Sequence, residues 1–340
     1  MKKSLFILFL GFLAFASQPA MAQFDAQLTN YWATTGYFNP GSAGNSGQLE
    51  LTALSRLQWL GVEGAPRTIL ILANMPFSFF GREHGVGASM YNESIGLFST
   101  TVMSAQYAYK TKLFKGNLGI GLQAGYIQEK FDGSKVYIPE DEFYNANDDA
   151  NPGVEVSGSS IDASFGIFYS RKNWYAGLSA THLLAPQLTL NETQVLDIPR
   201  HYYFTAGYNI PLNNSLLELR PSILVKTMEV SSFYIENDTL VPTEKGNALK
   251  GMLTQTQVDI SLLMLYKKTF WGGITWRKQD AVALMLGGKI KGIEVGYAYD
   301  YPISVIRRGT WGSHELFIRY SMDMGKKKPV RNKHKSVRIL

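Results

Sequence analysis

The chain has 340 residues, 33 Lys+Arg against 27 Asp+Glu, no cysteine and only 18% charged residues, with 32 Gly, 19 Tyr and 19 Phe. An ordinary soluble domain carries roughly 25% charge, and the lack of cysteine excludes a disulfide scaffold and an acylated lipoprotein. The basic balance is local. Seven Lys/Arg and no acid lie in "GKKKPVRNKHKSVRIL", and without these and the two leader lysines the body carries −3, so nothing in it favours a nucleic-acid partner.

In chain order, residues 1–22 come first. Lys2 and Lys3 precede an apolar run over 5–16 and then Ala20-Met21-Ala22. This is a charged n-region, an h-region and an A-x-A site, predicting export and cleavage after Ala22. Residues 23–47 follow, rich in Tyr, Phe, Asn and Gly. No later segment approaches the ~18 apolar residues of a membrane-spanning helix.

From Gln48 the pattern changes to a two-residue hydropathy rhythm. In the first segment Leu49, Leu51, Ala53, Leu57 and Trp59 alternate with Gln48, Glu50, Thr52, Arg56 and Gln58. Ile161, Ala163, Phe165, Ile167 and Tyr169 oppose Asp162, Ser164, Gly166 and Ser170. The same holds for Val258, Ile260, Leu262 and Met264 against Gln257, Asp259 and Ser261, and for Ile293, Val295, Tyr297 and Tyr299 against Glu294, Gly296, Ala298 and Asp300. Strands with lipid-facing apolar residues and lumen-facing polar or small ones define a transmembrane β-barrel.

Fourteen strands are predicted, beginning near Gln48, Pro66, His84, Phe98, Gly116, Gly158, Trp174, Pro199, Ser215, Met252, Thr269, Ala281, Gly292 and Ser313. The even count returns both ends to the periplasm. The links sort by side. "SFFGRE", "LFKG", "SRKN", "PLNN", "YKKT" and "GKIKG" are brief, whereas 131–157, 185–198, 230–251 and 301–312 fall on the other side. The expected fold is all-β, an antiparallel outer-membrane barrel over 48–324, with 23–47 as a plug-like segment in the lumen and a basic periplasmic tail over 325–340. A loosely ordered periplasmic segment is the other reading of 23–47.

The residues then carry a family resemblance. "YFNPGSAGN", "RLQWLGVEGAPRTILILANMPF", "GVGASMYNESIG", "AQYAYKTKL" and the late "GSHELFIRYSM" resemble the PorP/SprF family of outer-membrane proteins of type IX secretion and gliding motility. The most specific part is Arg56, Gln58, Trp59, Gly64, Ala65, Pro66 and Thr68. Gly41 departs from the expected Asn-Pro-Ala, slightly weakening the contact of the segment. The resemblance implies a non-enzymatic barrel that helps export a large secreted surface adhesin and attach it to the cell surface by binding its C-terminal region. It also implies other type IX components as partners, including periplasmic motor-ring or peptidoglycan-associated proteins, beside outer-membrane lipid.

Within that frame Asn39, Pro40, Arg56, Gln58, Asp162, Asp259, Glu294 and Glu315 are the candidate lumen and partner contacts, because lumen donors and carboxylates can hold polypeptide or brace one another. Bracing of Arg56 by Glu50, Asp162, Asp259, Glu294 or Glu315 is the alternative to partner contact. Trp59 is expected in the interfacial aromatic belt. Phe143 and Tyr144, in the acidic stretch "PEDEFYNANDDANPG", are candidate docking residues of the longest outer loop.

Catalytic, metal and cofactor sites find little footing. "GLSAT" lacks the closing Gly of a nucleophile elbow, and "GIGLQA" sits in a period-two strand without a following helix, so it cannot cradle phosphate. Gly119, Gly121 and Gly125 there face inward and leave room for a plug or close backbone approach. His84, His182, His201, His314 and His334 have no metal-ligand spacing. The competing functions are a transporter of hydrophobic compounds resembling the fatty-acid channel family, whose hatch carries Asn-Pro-Ala, and a general diffusion porin.

Overall fold

The computed structural model describes residues 25–136, 153–191, 195–212, 216–229, 233–236, 239–242 and 255–324. The leader, most of the acidic loop with Phe143 and Tyr144, and the basic tail lie outside the described residues.

The strands are β1 (Gln48–Leu57), β2 (Arg67–Phe79), β3 (Arg82–Ile95), β4 (Phe98–Leu113), β5 (Gly116–Asp132), β6 (Glu155–Arg171) and β7 (Trp174–Thr181). They continue as β8 (His201–Tyr208, prolonged by Ile210–Pro211), β9 (Leu217–Met228), β10 (Gln257–Tyr266), β11 (Phe270–Arg277), β12 (Ala281–Ile290), β13 (Ile293–Pro302) and β14 (Ser313–Asp323). Each pairs antiparallel with its sequence neighbour, and β1 pairs with β14 from Gln48↔Asp323 to Leu57↔His314. The sheet therefore closes as a fourteen-stranded barrel without an edge, which satisfies every ladder group in a medium that offers no water.

Why these residues close is visible in the burial alternation. On β1 Leu51, Ala53 and Leu57 are exposed while Thr52, Leu54 and Arg56 are buried. On β10 Ile260, Leu262 and Met264 face out and Gln257, Asp259 and Ser261 face in. Leu122, Leu178, Leu284 and Leu286 are each about six-tenths exposed and Ile161 about seven-tenths. So large an exposed apolar surface, spread over successive strands around the barrel, requires lipid around it. The inward face is not only polar or glycine. Leu54, Leu70, Leu72, Leu224, Leu263, Trp271, Met285 and Phe317 form a buried cluster with Ala26, Leu28, Tyr31 and Phe38.

The links also sort by side. At one end Phe80-Gly81, Phe114-Lys115, Lys267-Lys268 and Lys291-Gly292 each place two successive residues at positive φ. That is the type I′ pattern, whose twist matches the flanking strands. At the other end lie the longer links, although 96–97 and 278–280 are short there too. "GVEGAP" holds a tight turn, closed by the Ala65 N–H on the Val62 carbonyl with Gly64 at φ 69°, but it is not the whole connection. Residues 58–66 form an extended link in which Leu60 exchanges hydrogen bonds with Gly312 and Trp311 of the β13–β14 link. Trp59 is likewise not a lipid-facing strand residue: β1 ends at Leu57, and Trp59 is half-buried at φ 48°.

An arginine on the lipid face should be costly near the middle of a strand. Leu284→Arg, four residues into β12, should lower barrel stability by about 2–4 kcal/mol in urea titration of bilayer-folded protein, against little change for an arginine in the β13–β14 link.

Candidate functional site

A buried charge network lies at the long-link end of the barrel. Antiparallel register sets Arg56 of β1 directly across from Glu315 of β14, and Asp259 of β10 across from Arg277 of β11. Arg56 donates to Asp300 Oδ2 at 2.8 Å, to Glu315 Oε2 at 3.2 Å and to Thr29 Oγ1 at 3.0 Å. Arg277 donates to Asp259 and Asp300 and, at 3.2 Å, to the same Thr29 hydroxyl. Thr29 Oγ1 in turn donates to Asp300 at 2.8 Å. Glu315 accepts the backbone N–H of Thr29 and of Asn30 at 2.8 and 2.7 Å. Arg56, Arg277 and Lys226 are fully buried, as are Asp259, Asp300 and Glu315. Two buried arginines thus meet three buried carboxylates, with partly exposed Asp280 beside Arg277, while Lys226 donates to Gln27 Oε1 at 3.3 Å. Such burial is tolerable only when each charge is paired and hydrogen-bonded.

A second contact lies on the other side of the barrel. Asn39 Nδ2 donates to the carbonyls of Ile167 on β6 and Leu178 on β7, at 3.0 and 3.2 Å, while its Oδ1 accepts from Gly41 N. This turn rests on bare backbone. A Cβ on Gly121 would lie 2.3 Å from the Pro40 carbonyl carbon, and one on Gly166 would lie 2.1 Å from Asn39 Oδ1. Gly41 itself tightens the contact, because a Cβ there would lie 2.7 Å from Gly166 O; an alanine would hold the turn off the wall. Gly125 is not part of this panel; it borders a cavity further along β5.

The other predicted residues separate. Glu294 pairs with Arg319 at 3.4 Å, and Arg319 donates to the Ala33 carbonyl at 2.6 Å and covers the Trp32 ring. Gln58 is buried just past β1, its backbone N–H on the Pro66 carbonyl. Asp162 contacts His182 Nδ1 at 2.7 Å. His182 Nε2 and His201 Nδ1 each lie 3.1 Å from Asp25, which also accepts from Tyr203 at 2.8 Å. Asp300 could be read from the rhythm of β13 as inward-facing, but its position between two arginines could not. Thr29, Asn30 and Asp25 carry no local signal at all.

Burial alone would push Asp25 up, but His201 and His182 hold it well below the usual carboxylate value of 3.8. Burial would push His182 down, yet Asp25 and Asp162 push it up to about 10.

A closed antiparallel barrel with an apolar exterior and a paired-charge interior is a membrane-spanning β-barrel. The sequence pattern of the type IX secretion system membrane protein PorP/SprF matches residues 20–320, and the chain belongs to that family, whose barrels reside in the outer membrane. No curated protein matches the chain. Among solved structures it is similar to the Pseudomonas putida toluene transporter TodX (10% identity, TM-score 0.47, covering 88% of this chain and 95% of that one). It is also similar to BamA from Haemophilus ducreyi lacking POTRA domains 1–3 (9%, 0.42, 80% and 70%) and to the translocator domain of autotransporter NalP from Neisseria meningitidis (11%, 0.40, 81% and 88%).

Two outcomes follow from the charges. Arg56→Ala leaves Asp300 and Glu315 buried without their cation and should destabilise the barrel by about 3–5 kcal/mol, measured as earlier unfolding in heat-modifiability gels; exposed Arg67→Ala should change it by less than about 0.5 kcal/mol. The Asp25–His182 contact has a pH window. The raised His182 contributes fully below 6.5 and is lost as pH rises toward about 10; the depressed Asp25 contributes above 3.8 and is lost as pH falls below it. In EDTA-containing buffer, protection of residues 25–47 from protease should therefore be greatest between about pH 4 and 6.5.

Proposed function

We propose that residues 23–47 of the mature chain are a resident plug in the lumen, and that the plugged barrel is a non-enzymatic scaffold of type IX secretion and gliding. In this reading it helps export a large adhesin and holds it at the surface by gripping its C-terminal region. The mature chain begins at Gln23, after removal of the leader.

The observation that carries the reading is the anchoring of one short segment to opposite walls. Thr29 and Asn30 bind Arg56, Asp300 and Glu315 on β1, β13 and β14, whereas Asn39 binds β6 and β7. A barrel obstructed in this way is suited to holding a protein rather than to bulk diffusion. Polar donors and acceptors not used by the segment would then meet the adhesin from the outer end, and motor-ring or peptidoglycan-associated proteins would meet the short-turn end and the basic tail. A hydrophobic-compound transporter fits less well, because the carboxylates of Asp25, Glu93, Glu129 and Asp162 interrupt the apolar lining that Ile95, Phe98, Val102 and Ile127 give the cavity at the long-link end.

Deleting the protein should strip the adhesin from the cell surface and abolish spreading on agar. Normal display and spreading, in a strain without a second family copy, would sink the scaffold role. The plug is tested separately. The chain has no cysteine, so Ser42→Cys reports on its own. It should resist maleimide in folded barrels and become reactive when Gly121→Leu fills the space occupied by Pro40; full labelling of the Ser42→Cys barrel without Gly121→Leu would refute the plug.

A further inference from the structure

Beside the plug's first described residue, three side chains from three parts of the chain converge. Asp25 precedes the Thr29 anchor, His182 stands just past β7, and His201 opens β8. One ligand atom from each lies within 4.8 Å of the others. His182 Nε2 is 3.3 Å and His201 Nδ1 is 3.1 Å from the same Asp25 Oδ2. Ligands about 2.1 Å from a tetrahedral ion stand about 3.4 Å apart, so these atoms already span two edges of such a polyhedron with little movement.

The surroundings match what a metal site needs. His182 turns its other nitrogen to Asp162 Oδ2 at 2.7 Å. The pair is close but off hydrogen-bond line; a small ring rotation makes the Nδ1–H to carboxylate bond that is the usual outer-shell support of a histidine ligating through Nε2. Asp162 Oδ1 is buried and hydrogen-bonds to nothing among the described residues. Tyr203 donates to Asp25 Oδ2 at 2.8 Å and orients that carboxylate. The two imidazoles meet edge to face, 5.3 Å apart, so both can address one point without stacking. All three residues line a cavity of about 360 Å³ that also touches Glu129 and Ser164, which supplies space for water at a fourth position and a path for the ion.

We propose that Asp25, His182 and His201 bind a divalent first-row transition ion, with zinc as the reference metal. Two imidazoles and one carboxylate form a borderline donor set that suits zinc and its neighbours and disfavours calcium and magnesium, which require oxygen ligands. The ion cross-links the N-terminal segment to the link after β7 and to the start of β8. The inference is independent of the adhesin-scaffold reading, because it concerns how residue 25 is held and not what the barrel exports.

The test uses the full chain, purified in detergent without a histidine tag, loaded with Zn²⁺ and freed of excess by gel filtration. Metal analysis should find about one zinc per chain, and Co²⁺ in its place should give the visible absorption of a low-coordinate site. The His182→Ala/His201→Ala double variant should hold less than about a tenth of that, and Asp162→Asn should bind about 10–100-fold more weakly. X-ray absorption of the zinc-loaded wild type should show imidazole scattering, which keeps the proposal testable if the double variant fails to fold. Folded wild type that retains less than about a tenth of an equivalent, zinc undiminished in a folded double variant, or a zinc shell without imidazole would each overturn the site.

Discussion

The rest of the structure depends on the burial of Arg56. A guanidinium taken out of water must be surrounded by acceptors, and here it takes Asp300, Glu315 and the Thr29 hydroxyl. The first two come from β13 and β14, the third from the segment ahead of β1. One side chain therefore ties the closing seam of the barrel, where β1 meets β14, to the chain that precedes it. Arg277 repeats the arrangement from β11 through Asp259 and Asp300 and shares the same threonine. Thr29 is the point where two cationic clusters meet, and its hydroxyl accepts from both arginines while donating to Asp300.

Opposite this charged wall the barrel uses a different device. Near Asn39 the strands carry Gly119, Gly121 and Gly166, and the Asn39–Gly41 turn lies directly on their backbone. The two walls differ because their tasks differ. Long charged side chains reach across space and set direction through paired hydrogen bonds. Glycine removes side chains altogether and lets main chain meet main chain. Between them sits an apolar layer in which Trp32 packs edge-on against Trp271 and Phe317, with centroids 5.0 and 5.7 Å away. A barrel of fourteen strands is too wide for its own side chains to fill, and these three kinds of contact fit the filling of that width by a short segment of the same chain.

Arg56, Arg277 and Lys226 stand among Asp259, Asp300, Glu315 and the partly exposed Asp280, so most of the charge at this end is offset within the cluster. The cavity beside Asp25 is different, since Glu93, Glu129 and Asp162 share its lining with His182, His201 and apolar residues such as Phe98 and Ile127. The inward face thus carries a densely paired charge network at one place and an open cavity of mixed lining at another.

The sequence by itself determined the barrel. Alternation such as that of Gln257 to Met264, with polar residues one way and apolar residues the other, needs a strand between two unlike media, and the low charge and the sorting of links make the apolar one lipid. The strand count, the sorting of most links by length and the inward direction of Arg56, Asp162, Asp259, Glu294 and Glu315 follow from the same rhythm, which is local and therefore readable. Only the tertiary structure decided which inward residues meet. Arg56 could have paired with any of several carboxylates, and it found Asp300 and Glu315 because closure sets β1 beside β14 and brings β13 within reach of a long side chain. Thr29 lies 271 residues from Asp300 in the chain, and Asp25, His182 and His201 share no spacing that a pattern could register. Their meeting depends on ring closure and on the path of the irregular segment ahead of β1, two properties of the whole chain that no stretch of it carries alone.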